Sequence, residues 1–309
     1  MCQLAANHAV PTFTHVAYMS RIDPESAAEA YIRLIGYAGA TGAHMHICHF
    51  NSSSKTDIER CVALIAKAQA QGLPITDEAY PYGTGSTVLA ATFFSDPKFE
   101  RNGLGYDSVQ RVTDGHRFGS REELLAAQAA EPSTLVLWHV LDIENNSHHR
   151  DLLDMAVLYP GGAIASDAMP WTLSDGRPYT GDAWPLPDDA TSHPRSAGCF
   201  TRFIREWVRE RKKVSLLEGI RKCALIPAEI LSASTPAMRA KGRLQAGADA
   251  DVVVFDYETL SDRATFSAMN RPAEGVRHLV VSGQPLIKDG VLDVAARPGR
   301  PVRRPVTGA

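Results

Sequence analysis

The sequence predicts an α/β fold, in which a partial (β/α) barrel with parallel strands is followed by a small β domain. Short apolar runs alternate with helical patterns, as they do in βαβ units. Several of these runs end in polar or aromatic residues, at the edge where such sheets bind ligands. After Pro236 the helical patterns give way to β runs, which are broken by Gly-Ala-Asp and Ser-Gly turns. We therefore predict a barrel domain at residues 1–236 and a β domain at residues 237–309.

The first part of the chain alternates strands with helices. We predict a strand at 11–19 and a helix at 24–42, which glycines end. A second strand is predicted at 44–50 and a second helix at 56–72. In the second helix the apolar residues recur at intervals of three and four, as they do in a helix with one buried face.

The middle of the chain continues this alternation. A strand and a loop are predicted at 73–89, and further buried strands at 134–141 and 162–169. A helix near 150–158 separates the last two strands, and a helix pair at 201–231 is expected to form the closing layer. Four or five such strands are too few for an eight-stranded barrel. The fold is therefore either an open sheet or part of a larger protein whose first strands are missing, and we favour the second.

The composition is that of an ordinary globular protein, with 44% hydrophobic and 22% charged residues in 309. A formal net charge of −3 gives no electrostatic footprint for nucleic acid or for an anionic membrane. We find no run of apolar residues that approaches a transmembrane helix and no signal-peptide layout. Five dispersed cysteines indicate reduced thiols and a cytoplasmic location. A small molecule is the expected partner, and the sequence does not indicate an oligomeric state.

Two histidines stand at the ends of neighbouring predicted strands. His15 and His49 are 34 residues apart, which is one βα unit, so we expect both imidazoles to point into one mouth of the sheet. Such a pair is a natural arrangement for zinc, and the alternative is a pair of structural histidines. His44 and His46 stand at the start of their strand, where barrel residues serve stability, and we interpret them as structural.

Three further segments carry side chains that are suited to chemistry. Asp167 follows a buried apolar run, where a carboxylate is costly unless it is paired, hydrogen-bonded or bound to metal. It is a ligand for a second metal, a general base, or a residue of a turn. Arg195 in "HPR" suits a bidentate grip on a carboxylate, and the alternative is a surface arginine. The segment "YPYGTGST" at 80–87 is either a substrate loop or a turn with packed aromatic residues.

Together these motifs resemble the N-acyl-D-amino-acid deacylases (D-aminoacylases) of the amidohydrolase superfamily. The resemblance rests on strands that end in "TH" and "HICH", on "EAYPYGTGST" and "IASD", and on "HPRSAGCFTRF". The later segment "GRLQAGADADVVVFD" is typical of the superfamily, and the YPY and HPR segments narrow it to the deacylases. The resemblance implies a TIM-like (β/α) barrel that binds zinc (Zn2+), with a small β-sandwich domain built from both chain ends.

The resemblance also implies a role for individual residues. His15 and His49 match the two strand-end histidines that hold the tightly bound zinc. Asp167 matches the aspartate that passes a proton to the leaving amine, and Arg195 matches the arginine that grips the α-carboxylate of the substrate.

Tyr80 and a hydroxyl of Ser86 or Thr87 match further contacts to that carboxylate. The family's N-terminal His-x-His and zinc-bound cysteine have no counterpart here, so the chain is expected to lack the N-terminal part of the family's barrel.

The expected function is zinc-dependent hydrolysis of a linear amide, which removes the acyl group from an N-acyl-D-amino acid. The runner-up is a cyclic-amide hydrolase of the same superfamily, similar to hydantoinase or dihydroorotase. The HPR arginine and the YPY segment argue against it. A third hypothesis is an inactive truncated chain that serves as a structural or binding module.

Overall fold

The computed structural model describes residues 1–16, 18–96 and 99–304. Position 17 of the predicted first strand and positions 305–309 of the predicted β domain lie outside these ranges. The strands are β1 Thr12–Thr14, β2 Met45–Ile47, β3 Ile75–Ala79, β4 Thr84–Val88, β5 Val109–Arg111, β6 Leu135–His139, β7 Ala163–Ile164, β8 Val252–Phe255, β9 Val276–Val281, β10 Gln284–Lys288 and β11 Val291–Leu292. The α-helices are α1 Cys2–Asn7, α2 Ala27–Thr41, α3 Phe50–Ser54, α4 Ile58–Ala70, α5 Thr92–Ser95, α6 Arg121–Ala130, α7 Ser147–Val157, α8 Arg195–Phe203, α9 Leu216–Ile220 and α10 Ile226–Ser232.

Four strands form the parallel sheet that the alternating pattern predicts. They lie in the order β1-β2-β3-β7, and the register aligns Phe13 with His46 and His46 with Thr76. The α/β class is thereby confirmed, and the carboxyl ends of these strands meet at one edge. Within the described residues the sheet is open, so the barrel is represented by four parallel strands and not by a closed ring.

Helices α2 and α4 pack on each other and against this sheet. The hydroxyl of Ser26 caps α2 by accepting a hydrogen bond from the amide of Glu29, and Gly42 ends the helix in a left-handed conformation. One face of α4 is buried, as its periodicity predicts. The buried residues of α4 are Ile58, Cys61, Ile65 and Ala68.

Strand β6 departs from the prediction. It is not a strand of the parallel sheet but the centre of a separate antiparallel sheet with the order β4-β6-β5. The run Leu135–Trp138 is buried throughout, and a continuous apolar run has the same pattern in a parallel or an antiparallel sheet. Strand β1 is also shorter than predicted, since only Thr12–Thr14 pairs with β2.

The predicted helix pair at 201–231 is a succession of shorter pieces. Two π-helical segments, Ile204–Glu210 and Arg221–Leu225, interrupt it between α8, α9 and α10. Beyond it, the segment predicted as a β domain contains one antiparallel sheet with the order β11-β10-β9-β8. The predicted sandwich is therefore represented among the described residues by this one sheet, and the boundary at residue 236 stays a prediction.

In the part of the chain that the structure describes, no helix is both long and apolar enough to cross a membrane. All five cysteines are free thiols, in agreement with their dispersed spacing.

Candidate active site

The carboxyl ends of the parallel strands open into a cavity of about 940 Å³, here called the site cavity. Of the seven side chains that the sequence singles out as site residues, six line it: His15, His49, Tyr80, Ser86, Thr87 and Asp167. The seventh, Arg195, is buried behind the wall and contacts two of the six. The fold therefore brings all seven predicted residues together.

His15 and His49 follow neighbouring strands, and their rings are in contact. Nδ1 of His15 lies 2.5 Å from Nε2 of His49, and the ring centroids are 4.3 Å apart. His49 has a left-handed backbone with φ of 36°, where the chain leaves β2 and enters α3. The hydroxyls of Ser52 and Ser53 lie 3.0 and 2.9 Å from Nδ1 of His49. These hydroxyls fix the ring so that Nε2 is directed at His15.

The histidine pair has the donor chemistry of a zinc site. Burial lowers the pKa of His49, and the negative charge of Asp167 partly opposes this shift. A neutral imidazole has a lone pair to donate, and hydroxyl contacts to its other nitrogen orient such a ligand. In the described ranges no group of three or more His, Cys, Asp or Glu residues is able to hold a metal ion. The two imidazole donors suit zinc as a half-site, and bound zinc would take the place of the hydrogen bond that joins the two nitrogens here.

Arg195 holds the carboxylate of Asp167. Oδ2 of Asp167 lies 2.7 Å from Nη2 of Arg195, and Nε of Arg195 donates to the Asp167 carbonyl at 2.8 Å. Asp167 has a φ of 46°, in the left-handed region that non-glycine residues rarely adopt. The two contacts stabilise this backbone conformation. Arg195 is only 1% exposed, so the interpretation as a surface arginine is wrong.

Two buried polar groups beside the site cavity have no hydrogen-bond partner among the described residues. They are the hydroxyl of Tyr80 and Nη1 of Arg195, whose guanidinium lies 4.3 Å from the centroid of the Tyr80 ring. A buried donor without a partner costs about 1–3 kcal/mol. An oxygen ligand that reached both groups would remove this cost. The hydroxyl of Ser86 donates to the carbonyl of Val136 at 3.0 Å, which leaves Thr87 as the better placed of the two predicted hydroxyls.

The sequence reasoning missed an aromatic part of the cavity wall. Trp138 and Phe93 line the site cavity, and their nearly parallel rings have centroids 5.0 Å apart. The ammonium of buried Lys55 lies 3.4 Å from the centroid of the Trp138 ring and donates to Asn102 at 3.2 Å. Burial lowers the pKa of Lys55 well below its usual value. No sequence signal marks these residues, since Trp138 lies in a core-like run and Lys55 in a polar one.

His44 and His46 form hydrogen bonds within the parallel sheet. The hydroxyl of Thr76 lies 2.7 Å from Nε2 of His44 and 2.8 Å from Nδ1 of His46. Oε2 of Glu78 lies 3.2 Å from Nε2 of His46. Because both nitrogens of the buried His46 are used, these contacts support the structural interpretation.

A second cavity of about 740 Å³ lies on the other side of β4 and β6. The cross-strand pair Thr84 and His139 lines the second cavity, whereas the adjacent pair Gly85 and Trp138 lines the site cavity. Charged groups of the second cavity pair with one another, as in the contact of 2.7 Å between Arg205 and Asp262. None of the seven predicted site residues, all of which the structure describes, lines it.

Known proteins that are similar in sequence share one kind of chemistry. A family model with the description "Amidohydrolase family" matches residues 51–287. The N-acyl-D-glutamate deacylase of Alcaligenes xylosoxydans xylosoxydans is 39% identical over 119 residues, which is 38% of this chain and 23% of that protein. The N-acyl-D-aspartate deacylase of the same organism is 36% identical over 115 residues, which is 37% of this chain and 22% of that protein.

Solved structures show the same fold. The N-acyl-D-glutamate deacylase from Bordetella bronchiseptica, complexed with zinc and a phosphonate inhibitor, has a TM-score of 0.71 at 23% identity. The match covers 98% of this chain and 58% of that one. A D-aminoacylase structure has a TM-score of 0.70 at 20% identity, with 94% and 56% covered. The chain thus spans between half and two thirds of the length of these structures.

Proposed function

The chain belongs to the amidohydrolase family, and on that premise we propose that it carries part of the site of a zinc-dependent N-acyl-D-amino-acid deacylase. The reaction adds water across one linear amide bond and yields a carboxylic acid and a free amino acid. The names of two curated relatives, deacylases of N-acyl-D-glutamate and N-acyl-D-aspartate, support the substrate class. The observation that carries the proposal is the contact between His15 and His49 in a cavity that Asp167 also lines.

In this proposal the two imidazoles hold zinc, and Asp167, which lines the same cavity, is the base. When bound, zinc supplies Lewis acidity toward water and toward the amide carbonyl. Ser52 and Ser53 keep the ring of His49 in its binding orientation. A catalytic zinc takes three protein ligands, so a half-site with two imidazoles is expected to bind zinc with modest affinity.

Asp167 is the general base and general acid of the proposed reaction. Its carboxylate accepts the proton of the attacking water and returns it to the leaving nitrogen, so that protons balance over the cycle. The ion pair with Arg195 fixes the orientation of the carboxylate. The side chain of Asp167 is 30% exposed, so it is accessible from the site cavity.

The carboxylate of the substrate is proposed to bind at Tyr80 and Arg195. The hydroxyl of Tyr80 and Nη1 of Arg195 are two buried donors that have no hydrogen-bond partner among the described residues, and a carboxylate offers two acceptor oxygens. Thr87 adds a hydroxyl on the same side of the site cavity. The carboxylate of the substrate would supply the partner that Nη1 of the buried Arg195 lacks among the described residues.

Zinc content of the purified chain, measured by elemental analysis, tests the metal part of the proposal. We expect close to one zinc per chain in wild type that has been dialysed against excess zinc, after subtraction of the zinc in the dialysate, and its loss in both His15→Ala and His49→Ala. His139→Ala is the matched control, because His139 lines the second cavity, and it should retain zinc. Zinc well below one per chain that none of the substitutions changes would favour the inactive module.

A hydrolysis assay tests the substrate, with release of free amine measured for linear amides and loss of ultraviolet absorbance on ring opening measured for a cyclic amide. N-acetyl-D-glutamate is expected to be hydrolysed in preference to its L enantiomer and to a cyclic amide such as dihydrouracil. Preferential opening of the cyclic amide would replace the deacylase proposal with the cyclic-amide hydrolase.

A further inference from the structure

His193 lies two residues before Arg195 and takes no part in the proposed chemistry. Its side chain is completely buried, so it is not accessible to a substrate. Nδ1 of His193 accepts a hydrogen bond from the backbone amide of Arg195 at 2.9 Å. Because this nitrogen is an acceptor, Nε2 carries the proton and donates to the carbonyl of Thr84 at 3.0 Å. Both nitrogens of the ring are therefore used by backbone groups.

The surroundings of His193 fix both its ring plane and its charge. Tyr82 and Phe266 pack edge-on against the ring, with centroids 5.2 and 5.3 Å away. Burial lowers the pKa of His193 well below its usual value, and the nearby positive charges of Arg195 and Arg202 act in the same direction. The neutral form is the one that is able to accept from the amide of Arg195.

The imidazole connects two elements that both carry predicted site residues. Thr84 is the first residue of β4, which continues to Ser86 and Thr87, and Arg195 is the first residue of α8. The side chain of Arg195 then reaches Asp167. The ring of His193 therefore sets the distance between β4 and the arginine.

We propose that His193 is a positioning residue, which holds the start of α8 against β4 so that the guanidinium of Arg195 stays against Asp167 and Tyr80. The consequence for substrate binding rests on the proposed function, whereas the positioning itself does not. A histidine that only fills space would need the right shape, whereas a positioning histidine needs an acceptor at Nδ1. This difference makes the two roles separable by substitution.

Three substitutions separate shape from hydrogen bonding. His193→Phe keeps a ring without nitrogens, His193→Asn places an acceptor oxygen near the position of Nδ1, and His193→Gln places its amide near Nε2. His139→Phe is the matched control, since His139 contacts Thr84 and Phe266 but forms no hydrogen bond with Arg195. The control shows what the loss of a neighbouring imidazole does by itself.

The primary measurement is hydrogen exchange of the Arg195 Nε–H in protein labelled with 15N-arginine, assigned with Arg195→Lys. This proton is bonded to the carbonyl of Asp167, and local opening controls its exchange. We expect exchange about tenfold or more faster in His193→Phe and His193→Gln, and a rate within about threefold of the wild type in His193→Asn and His139→Phe.

Unchanged exchange in His193→Phe would overturn the proposal, as would equal acceleration in the Phe and Asn variants. If His193→Phe does not fold, the comparison of Asn with Gln decides the same question.

A second measurement compares the affinities for N-acetyl-D-leucine and its carboxamide by calorimetry. His193→Phe is expected to weaken binding of the acid about tenfold and to leave the amide unchanged. If the wild type binds both ligands alike, the proposed carboxylate grip is wrong, while the exchange result still decides the role of His193.

Discussion

At the scale of single residues, the buried guanidinium of Arg195 contacts two residues that line the site cavity. Its guanidinium pairs with Asp167 through Nη2 and lies over the ring of Tyr80, whereas Nη1 has no partner among the described residues. A planar guanidinium makes such contacts in three directions at once, whereas an ammonium is a point charge without this geometry.

Arg195→Lys is therefore expected to retain the positive charge but to lose the grip on a carboxylate. The affinity for N-acetyl-D-leucine, measured by isothermal titration calorimetry, should fall by a factor on the order of 10 to 100. The exposed Arg177→Lys is the control and should bind as the wild type does. Equal affinities in all three proteins would exclude Arg195 from the binding site.

Asp77 is a buried carboxyl away from the site cavity. Burial raises its pKa to about 7, the positive charge of Lys222 opposes this rise, and Glu78 adds to it. Both oxygens lack a hydrogen-bond partner among the described residues, and Tyr31 and Tyr159 also lie within range of its charge. The folded state therefore favours the protonated form of Asp77.

This pKa predicts how stability changes with pH. Because the folded pKa is above the unfolded value of about 3.9, the unfolded chain releases this proton first, and the free energy of unfolding falls as the pH rises from about 4 to about 7. Asp77→Asn removes this contribution, on the order of a few kcal/mol, so the variant should lose less stability over that range. Urea denaturation at pH 4.5, 6 and 7.5 measures the difference, with the exposed Asp175→Asn as control. Parallel pH profiles of wild type and Asp77→Asn would contradict the prediction.

The polar residues at strand ends were predictable, since a histidine or carboxylate directly after an apolar run is unusual in a core. Lys55 and Trp138 were not, because their contact joins two segments whose local patterns indicate a loop and a core strand. Contacts of this kind depend on tertiary packing and not on local periodicity.

At the scale of elements, three helices begin with the same local device. The hydroxyls of Ser26, Ser120 and Ser215 each accept a hydrogen bond from the amide three residues later. In each case that residue is a glutamate, which gives the sequence pattern Ser-x-x-Glu. At α6 the carboxylate of Glu123 also accepts from the amide of Gly119 at 2.6 Å. The start of α6 is therefore stabilised by the hydroxyl of Ser120 and by the carboxylate of Glu123.

Ser120→Ala is expected to lower the free energy of unfolding by about 1 kcal/mol, because it leaves an amide of the first turn without its partner. Urea denaturation measures this change, and Ser133→Ala at an exposed position is the control. A midpoint equal to that of the control variant would show that the cap contributes nothing.

Helices were predictable at this scale and strand partners were not. The three-four periodicity of α4 depends only on which face is buried, so the helix is apparent from its own residues. The partner of β6 depends on segments that are distant in sequence, and no residue within β6 distinguishes β3 from β4 as a neighbour.

At the scale of the whole molecule, the site depends on the parallel sheet as a unit. His15, His49, Tyr80 and Asp167 follow four different strands, so an ion bound between them links strands across the sheet. Binding to the folded state alone stabilises it, by an amount that grows with the free ligand concentration.

Zinc is accordingly expected to raise the thermal unfolding midpoint. At a free zinc concentration 100 times the dissociation constant the stabilisation is about 2.7 kcal/mol, and EDTA should reverse it. His15→Ala and His49→Ala should show no zinc-dependent shift by scanning calorimetry, whereas His116→Ala, at an exposed position, should behave as the wild type. A shift of equal size in the two site variants would place the zinc elsewhere on the chain.

The sheet of β4, β6 and β5 separates the site cavity from the second cavity, and adjacent cross-strand pairs line different cavities. Gly85 and Trp138 line the site cavity, and Thr84 and His139 line the second cavity. A mutation at one pair therefore alters the shape of a single cavity, although the next pair lies only one residue away. Single substitutions at Gly85 or Trp138 are therefore able to reshape the site cavity while the second cavity stays as it was. The partition thus makes changes in the shape of one cavity separable from changes in the other.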